Sequence, residues 1–280
     1  MIKGILKRIP GVQEFAQSRI YQSYRHGVAL RTAPRVNSNF TGFWRLPTQF
    51  QALSGPVADH LIAVAPGRQL RIASIGCSNG AEAYTVSSCL SNHRPGLQYS
   101  IHAIDIHQHV IDKARAASYE PEEEVYCNRR ITEEFIDQTF DRGVTYVVKP
   151  QISSRVTFSL GDVLDDGLVD LLPDMDVVFA QNFLFHLEPP KAAQAFENLC
   201  RILGPRGVMF LDGTDLPLRQ RLTKKFGLDP LDWQVEQIHN EARWARGEGY
   251  PDGYWGLEPF MMTKRDWCRR YSTIFIKNGA

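Results

Sequence analysis

Between Arg71 and Tyr84 the chain reads Arg-Ile-Ala-Ser-Ile-Gly-Cys-Ser-Asn-Gly-Ala-Glu-Ala-Tyr, an apolar run that passes through a loop of small residues into a helix. Small side chains at Gly76, Ser78 and Gly80 let the backbone approach a ligand. The helix start beyond Gly80 presents N–H groups and a partial positive charge, which suits a carboxylate or a phosphate. Two aspartates follow at comparable places: Asp105 ends the apolar run that begins at Tyr99, and Asp162 follows the run 155–160. Asp105 is placed to accept both hydroxyls of a ribose, and Asp162 to accept from an adenine amino group. Either aspartate alone also suits a helix cap or a turn; it is their order after successive strands that points to a nucleoside. The spacing Gly76, Ser78, Gly80 is not Gly-x-Gly-x-x-Gly, so a dinucleotide's pyrophosphate has no loop here, and no Gly-Lys-Ser/Thr follows for a triphosphate. A nucleoside that carries a carboxylate and no phosphate fits, and S-adenosylmethionine is such a molecule.

The elements that must hold these residues alternate regularly. Strands are expected at 70–75, 99–104, 155–160, 175–180 and 208–212, and helices at 81–90, 107–117 and 191–203, with a turn at Gly204-Pro205-Arg206-Gly207. Strands alternating with helices imply a doubly wound α/β domain with a mostly parallel sheet, its ligand lying beyond the C-terminal strand ends. The stretch 119–152 is less regular, with a short helix at 131–140. Residues 214–270 break the rhythm and hold Trp233, Trp244, Trp255 and Trp267 together with Tyr250, Tyr254 and Phe260. They read either as a helical subdomain with its own core or as an aromatic acceptor pocket over the sheet edge. The divisions expected are therefore a helical N-terminal segment, 1–46, an α/β domain, 47–213, and a helical, aromatic-rich insertion with a last strand, 214–280.

Composition narrows the function. Of 280 residues 43% are hydrophobic and 22% charged, the balance of a folded globular chain. Lys and Arg number 32 against 31 Asp and Glu, a net charge of +1 that gives no field for nucleic acid. Five dispersed cysteines without Cys-x-x-Cys spacing write neither a disulfide framework nor a zinc knuckle. Met1–Pro10 is basic and apolar, but Lys7, Arg8 and Pro10 interrupt it; it reads as a solvated helix face, with a short membrane-surface helix as the other reading. No stretch approaches the ~20 apolar residues that cross a bilayer, and a cytoplasmic protein without an integral membrane segment is the expectation.

Four ordered motifs then carry a family resemblance. Ser38-Asn39-Phe40-Thr41-Gly42-Phe43-Trp44-Arg45 resembles the Thr-Asn-x-Thr-x-Phe-Phe-Arg signature of CheR-type methyltransferases, which esterify glutamates on chemotaxis receptors. The loop Gly76–Thr85 resembles their Gly-Cys-Ser-Thr-Gly-Glu-Glu-Pro-Tyr-Ser. The stretch 103–115 is similar to their Ala-Ser-Asp-Ile-Asp segment with its Leu-Lys-Ala-Arg, and Asn182-Phe-Leu-Phe-His186 falls where they carry Asn-Val-Leu-Ile-Tyr. The resemblance spans about 37–215 and implies a class I, Rossmann-like methyltransferase. It further implies that Asn39, Thr41, Glu82, Asp105, Asp162, Val163 and Asn182 contact S-adenosylmethionine, along with Gln181 and the loop residues, and that Arg45 lies near sulfonium and acceptor.

The departures bear on the acceptor. Gln181 stands where an arginine is usual, His186 where a tyrosine is, Ala81-Glu82-Ala83 where Glu-Glu-Pro is, and only about 37 residues precede the Asn39 motif, implying a shortened helical N-terminal domain. Methyl transfer from a sulfonium is an in-line displacement that alignment alone accelerates greatly, and no metal is required. An ionised glutamate needs no base, whereas a hydroxyl does, and a histidine supplies one near neutrality. The expectation from His186 is thus O-methylation of a hydroxyl-bearing small molecule or glycan, with His186 as base, Glu188 as its orienter and the 230–260 aromatics as the acceptor pocket. The alternatives are a protein-glutamate methyltransferase of the chemotaxis type, with an acidic protein side chain as acceptor, and a non-catalytic S-adenosylmethionine sensor. The chemoreceptor enzymes carry a small β-subdomain expected near the C-terminus; 214–250 reads helical, which argues for the hydroxyl acceptor. His107-x-His109 faces apart on a helix and reads as solvated surface, Cys77 as a small loop residue, and no Gly-x-Ser-x-Gly elbow marks a hydrolase.

Overall fold

Apolar residues that alternate along the central strands divide the molecule into two hydrophobic layers. The computed structural model describes residues 15, 18–32, 35, 39, 41–121, 131–247 and 258–279. Its strands are β1 (Leu70–Ile75), β2 (Tyr99–Asp105), β3 (Ser118–Tyr119), β4 (Phe140–Arg142), β5 (Tyr146–Val148), β6 (Val156–Leu160), β7 (Met175–Gln181), β8 (Leu203–Asp212), β9 (Leu228–Pro230) and β10 (Ile274–Lys277). Side chains of successive strand residues point to opposite faces. Ile72, Ile101, Val177, Phe179, Val208 and Phe210 therefore join one buried cluster, while Ala73, Ile75, Ile104, Val178, Met209 and Leu211 join another.

Seven strands form the main sheet in the order β6-β2-β1-β7-β8-β10-β9. The first five pair in parallel, and β10 and β9 close one edge antiparallel. The chain fills one half outward from β1 through β2 to β6 and then returns to the other side of β1 with β7. The loops leaving β1 and β7 thus diverge and open a crevice at the carboxyl edge. The parallel order expected from the sequence is observed, and β7 pairs β1 with Ile75 beside Ala180, which brings the loops after Ile75 and Gln181 together.

The helices are α1 (Arg19–Thr32), α2 (Pro47–Ala52), α3 (Ala58–Val64), α4 (Ala81–His93), α5 (Gln108–Ala116), α6 (Glu133–Thr139), α7 (Pro150–Ser153), α8 (Leu168–Leu171), α9 (Pro189–Ile202), α10 (Leu216–Lys225), α11 (Val235–Gly247) and α12 (Trp267–Tyr271). Proline at the first turn of α2 and α9 needs no N–H there and presets the helical φ. The pair α2 and α3, joined by one π turn at Leu53–Val57 that contains Gly55 and Pro56, has no counterpart in the sequence reading.

Two further differences bear on function. The irregular middle stretch folds into a second, three-stranded antiparallel sheet, β3-β5-β4. A small β unit is thus present, drawn from 118–148 rather than from the C-terminal region where it was sought; strands of two or three residues are too short to show a period-2 pattern. The aromatic C-terminal stretch has a core of its own, with Phe260, Tyr271, Val235 and Leu216 packed on Leu46 and flanked by Trp267. Trp255, Tyr250 and Tyr254 lie outside the described residues, as does Met1–Pro10. Among the described residues no helix is long and apolar enough to cross a membrane.

Candidate functional site

The crevice at the β1/β7 switch point opens into a cleft of about 1070 Å³, counted to its solvent mouth. Four loops and one N-terminal strap build it. From the strap come Asn39, Thr41 and Arg45; from the loop after β1 and the start of α4, Gly76, Ser78 and Glu82. The end of β2 contributes Asp105, the loop after β6 Asp162 and Val163, and the loop after β7 Gln181, Asn182 and His186. Gly80, also expected at the ligand, lies elsewhere. At φ +88° it starts α4, and a Cβ there would stand 2.9 Å from the Phe158 ring and 3.0 Å from Ala114 Cβ. Its smallness serves the packing of α4 on the sheet. Asn79 Oδ1 takes the Ala81 N–H at 3.2 Å, and Glu82 occupies the first turn.

The strap is held by its aromatic residues. Phe43 is fully buried, edge-on to Tyr119 and Phe140 at 4.9 and 5.0 Å, and Trp44 stacks on Phe50 at 5.3 Å. Asn39 C=O accepts from Ser78 Oγ at 2.7 Å. With Phe43 and Trp44 inserted on one side and Asn39 tied on the other, Thr41 and Arg45 are delivered to the cleft. The aromatic pair in the motif is thus an anchor, while its polar residues face the cleft.

Asp105 is oriented by the backbone. Its Oδ2 accepts from Ser78 N at 2.9 Å and its Oδ1 from His107 N at 3.0 Å. A carboxylate offers about four acceptor positions, so two remain, the number needed by a vicinal diol. Asp162 Oδ1 accepts from Leu164 N at 2.9 Å, closing a turn as aspartate commonly does, while the residue still borders the cleft.

Glu82 is the most perturbed acid of the cleft. Burial pushes its carboxyl up to about 7, against a hydrogen bond from Ser74 Oγ at 2.8 Å and the attraction of Arg45, which pull it down. Cys77 beside it is no nucleophile: burial, Asp105 and Glu82 all raise its thiol far above neutrality.

On the β7 side, Asn182 adopts φ +62° and its N–H donates to Asp212 C=O at 3.0 Å. Gly213 passes so close that a Cβ would sit 2.5 Å from Asn182 Cα, with φ at +66°. Gly213→Ala is expected to destabilise the fold by roughly 2–3 kcal/mol or more, because backbone must move and the φ is unfavourable. A melting temperature within one degree of the parent's would contradict this.

His186 ends the single 3₁₀ turn Leu184–His186 and lies against the Phe185 ring at 4.0 Å. Glu188, its expected orienter, has a side chain 72% exposed and lies 4.0 Å from Arg35. None of the described residues of 214–279 lines the cleft. The expected aromatic acceptor pocket is therefore not formed by Trp233, which packs on the main core, or by Phe260 and Trp267, which pack the C-terminal cluster; a tryptophan's large apolar ring explains its place in either role, so spacing could not separate them. His107 and His109 stand with ring centroids 5.6 Å apart, and among the described residues no three potential ligands gather for a metal. The sequence reading missed Ile106, Phe183 and Leu187, which supply apolar lining, and took for solvated helix surface His107, which precedes α5 and lines the cleft. For Ile106 a signal existed: a large apolar residue directly after a strand-end aspartate, left 49% exposed.

A family model described as "CheR methyltransferase, SAM binding domain" matches residues 39–229, which contain every residue placed in the cleft above. The chain belongs to this CheR family. Among curated CheR-type proteins it is similar to the "Probable biofilm formation methyltransferase WspC" of Pseudomonas aeruginosa, at 28% identity over 76% of this chain and 50% of that protein. It is also similar to "Chemotaxis protein methyltransferase 1" of the same organism, at 28% over 69% of this chain and 72% of that one, and to "Chemotaxis protein methyltransferase 2" of Vibrio cholerae, at 28% over 62% and 60%. The chain spans about half the length of the WspC proteins it matches. Among solved structures, a putative sarcosine dimethylglycine methyltransferase from Galdieria sulphuraria aligns over 82% of this chain and 86% of its own, with 15% identity and a TM-score of 0.40.

Proposed function

We propose that this CheR-family chain binds S-adenosylmethionine in the cleft and methylates a carboxylate side chain of a protein. What carries the acceptor assignment is that Arg45 is the one lysine or arginine lining the cleft among the described residues, while Trp233 and Phe260, the described aromatics of 230–260, do not line it. A guanidinium pairs with a carboxylate in two parallel hydrogen bonds. The names of the relatives, protein methyltransferases among them, support the same reading.

Asp105 would accept the ribose hydroxyls with its two remaining acceptor positions, and Glu82 would receive the ammonium of the methionyl group. Asp162, Val163 and Ile106 would hold the adenine, with Asn39, Thr41, Gly76, Ser78, Gln181 and Asn182 completing the walls. When bound, S-adenosylmethionine supplies a methyl carbon already activated by a sulfonium. Arg45 holds the acceptor carboxylate in line, the contribution that orientation makes to such a displacement. A carboxyl of ordinary pKa, about 4.3, arrives ionised. His186 then has no proton to remove and acts by filling and hydrogen-bonding the acceptor side, so the base role expected from sequence is unnecessary. The small β3-β5-β4 sheet, whose absence had argued for a hydroxyl acceptor, removes that argument.

Two measurements test the reading. Calorimetry with S-adenosylmethionine, S-adenosylhomocysteine and NAD is expected to show binding of the two sulfur nucleosides; binding of NAD alone would overturn the donor assignment. Incubation of bacterial proteins with methyl-labelled donor is expected to give protein-bound label released as volatile methanol by mild alkali, the mark of a methyl ester. Alkali-stable label, or label confined to small molecules, would return the acceptor to a hydroxyl or an amine.

A further inference from the structure

Arg35 lies outside every motif noted in the sequence, yet its guanidinium is seated deep against the loop that carries His186. Nη1 donates to Phe185 C=O and to Leu187 C=O, each at 2.9 Å, and Nη2 pairs with Asp215 Oδ2 at 2.9 Å. The side chain is 12% exposed. The two carbonyls flank His186, so one planar group holds the peptide units on both sides of it. A buried guanidinium spends its donors on partners that fit its rigid fork, which fixes the geometry of whatever it touches.

We propose that Arg35 is a positioning residue for the acceptor side of the cleft, acting through the Leu184–His186 turn; this rests on the reading of the His186 side as the acceptor side. Four residues later Asn39 ties the same strap to Ser78 on the donor side. Arg35 is thus fixed on the His186 side and Asn39 on the Ser78 side, and Arg35 sets how His186 is presented. Phe185, His186 and Leu187 amides donate to Gly213, Phe183 and Leu184 carbonyls at 2.9, 2.9 and 3.2 Å, which provides a direct readout of the turn.

The test uses the full chain with Arg35→Gln, Arg35→Lys and, should Arg35→Gln fold poorly, Asp215→Asn, which frees one arm of the guanidinium. Hydrogen exchange is expected to quicken at the amides of 185–187 by roughly tenfold or more in Arg35→Gln, with the amides of β1 unchanged. S-adenosylhomocysteine affinity should stay within about threefold while methyl transfer falls roughly tenfold or more, and Arg35→Lys should recover part of the loss. Combined with His186→Ala, Arg35→Gln should cost little beyond His186→Ala alone, because both act through one turn. Unchanged exchange at 185–187, or a loss fully additive with His186→Ala, would overturn the proposal. Wild-type chain that transfers no methyl group would sink the functional reading, while the exchange measurement would still decide the role of Arg35.

Discussion

Arg45→Ala is expected to lower kcat/KM for a protein carboxylate acceptor by on the order of 10²–10³-fold, the usual consequence of removing one preorganised electrostatic partner. Donor affinity at pH 8 should change far less, since Arg45 lies with the acceptor while Asp105 and Glu82 face the ribose and ammonium in the reading given above. Arg45→Lys keeps the charge without the planar fork and should recover only part of the rate. Arg45 also pulls the Glu82 carboxyl down, so its removal should move the midpoint of donor binding to higher pH. Equal losses of donor affinity and turnover would mean that Arg45 grips the donor instead.

The second large effect is the pH dependence set by Glu82. In the free chain burial raises this carboxyl from 4.5 to about 7. An ammonium is bound by the ionised form, so S-adenosylhomocysteine affinity should climb about tenfold per unit below pH 7 and level off above it. Glu82→Gln should flatten that profile and weaken binding at pH 8 by roughly 2–5 kcal/mol, the cost of deleting one member of a buried charge pair. Stability of the ligand-free protein should run the other way. Because the native carboxyl holds its proton more tightly than the unfolded one, the group contributes nothing adverse below pH 4.5, and stability falls as pH rises towards 7, by about 3 kcal/mol in all. Glu82→Gln lacks this penalty, so at pH 8 the ligand-free variant should melt above the wild type while binding more weakly. Parallel melting and binding losses in the variant would refute the assignment of Glu82 as a strained, cation-seeking acid.

Both effects depend on residues legible before any coordinates. Gly76, Asp105, Asp162 and Asn182 sit at or just beyond strand ends and Glu82 in the first turn of the helix that follows β1, and a mostly apolar strand followed by a small or acidic residue is a local pattern. The run 70–75 is the observed β1, and Met175 begins β7 as expected. Gly80 belongs to the same loop but turns to Phe158, because which face of a loop a Cα presents is decided by the helix that follows it. The short strands β3, β4 and β5 left no period to read, and of the described tryptophans Trp267 packs on the C-terminal cluster and Trp233 on the main core, because apolar surface is buried wherever it is nearest.

What the sequence by itself determined is the α/β alternation, the switch-point cleft and the family, all of which follow from short-range periodicity and from residue types confined to a few contiguous motifs. What only the tertiary structure decided is how distant segments meet: the pairing of Arg35 with carbonyls some 150 positions away, the antiparallel edge of β9 and β10, and the placing of Trp233, Phe260 and Trp267 outside the cleft. Backbone carbonyls carry no residue identity and an arginine's partner leaves no spacing, so contacts of this kind exist only once the chain has closed on itself.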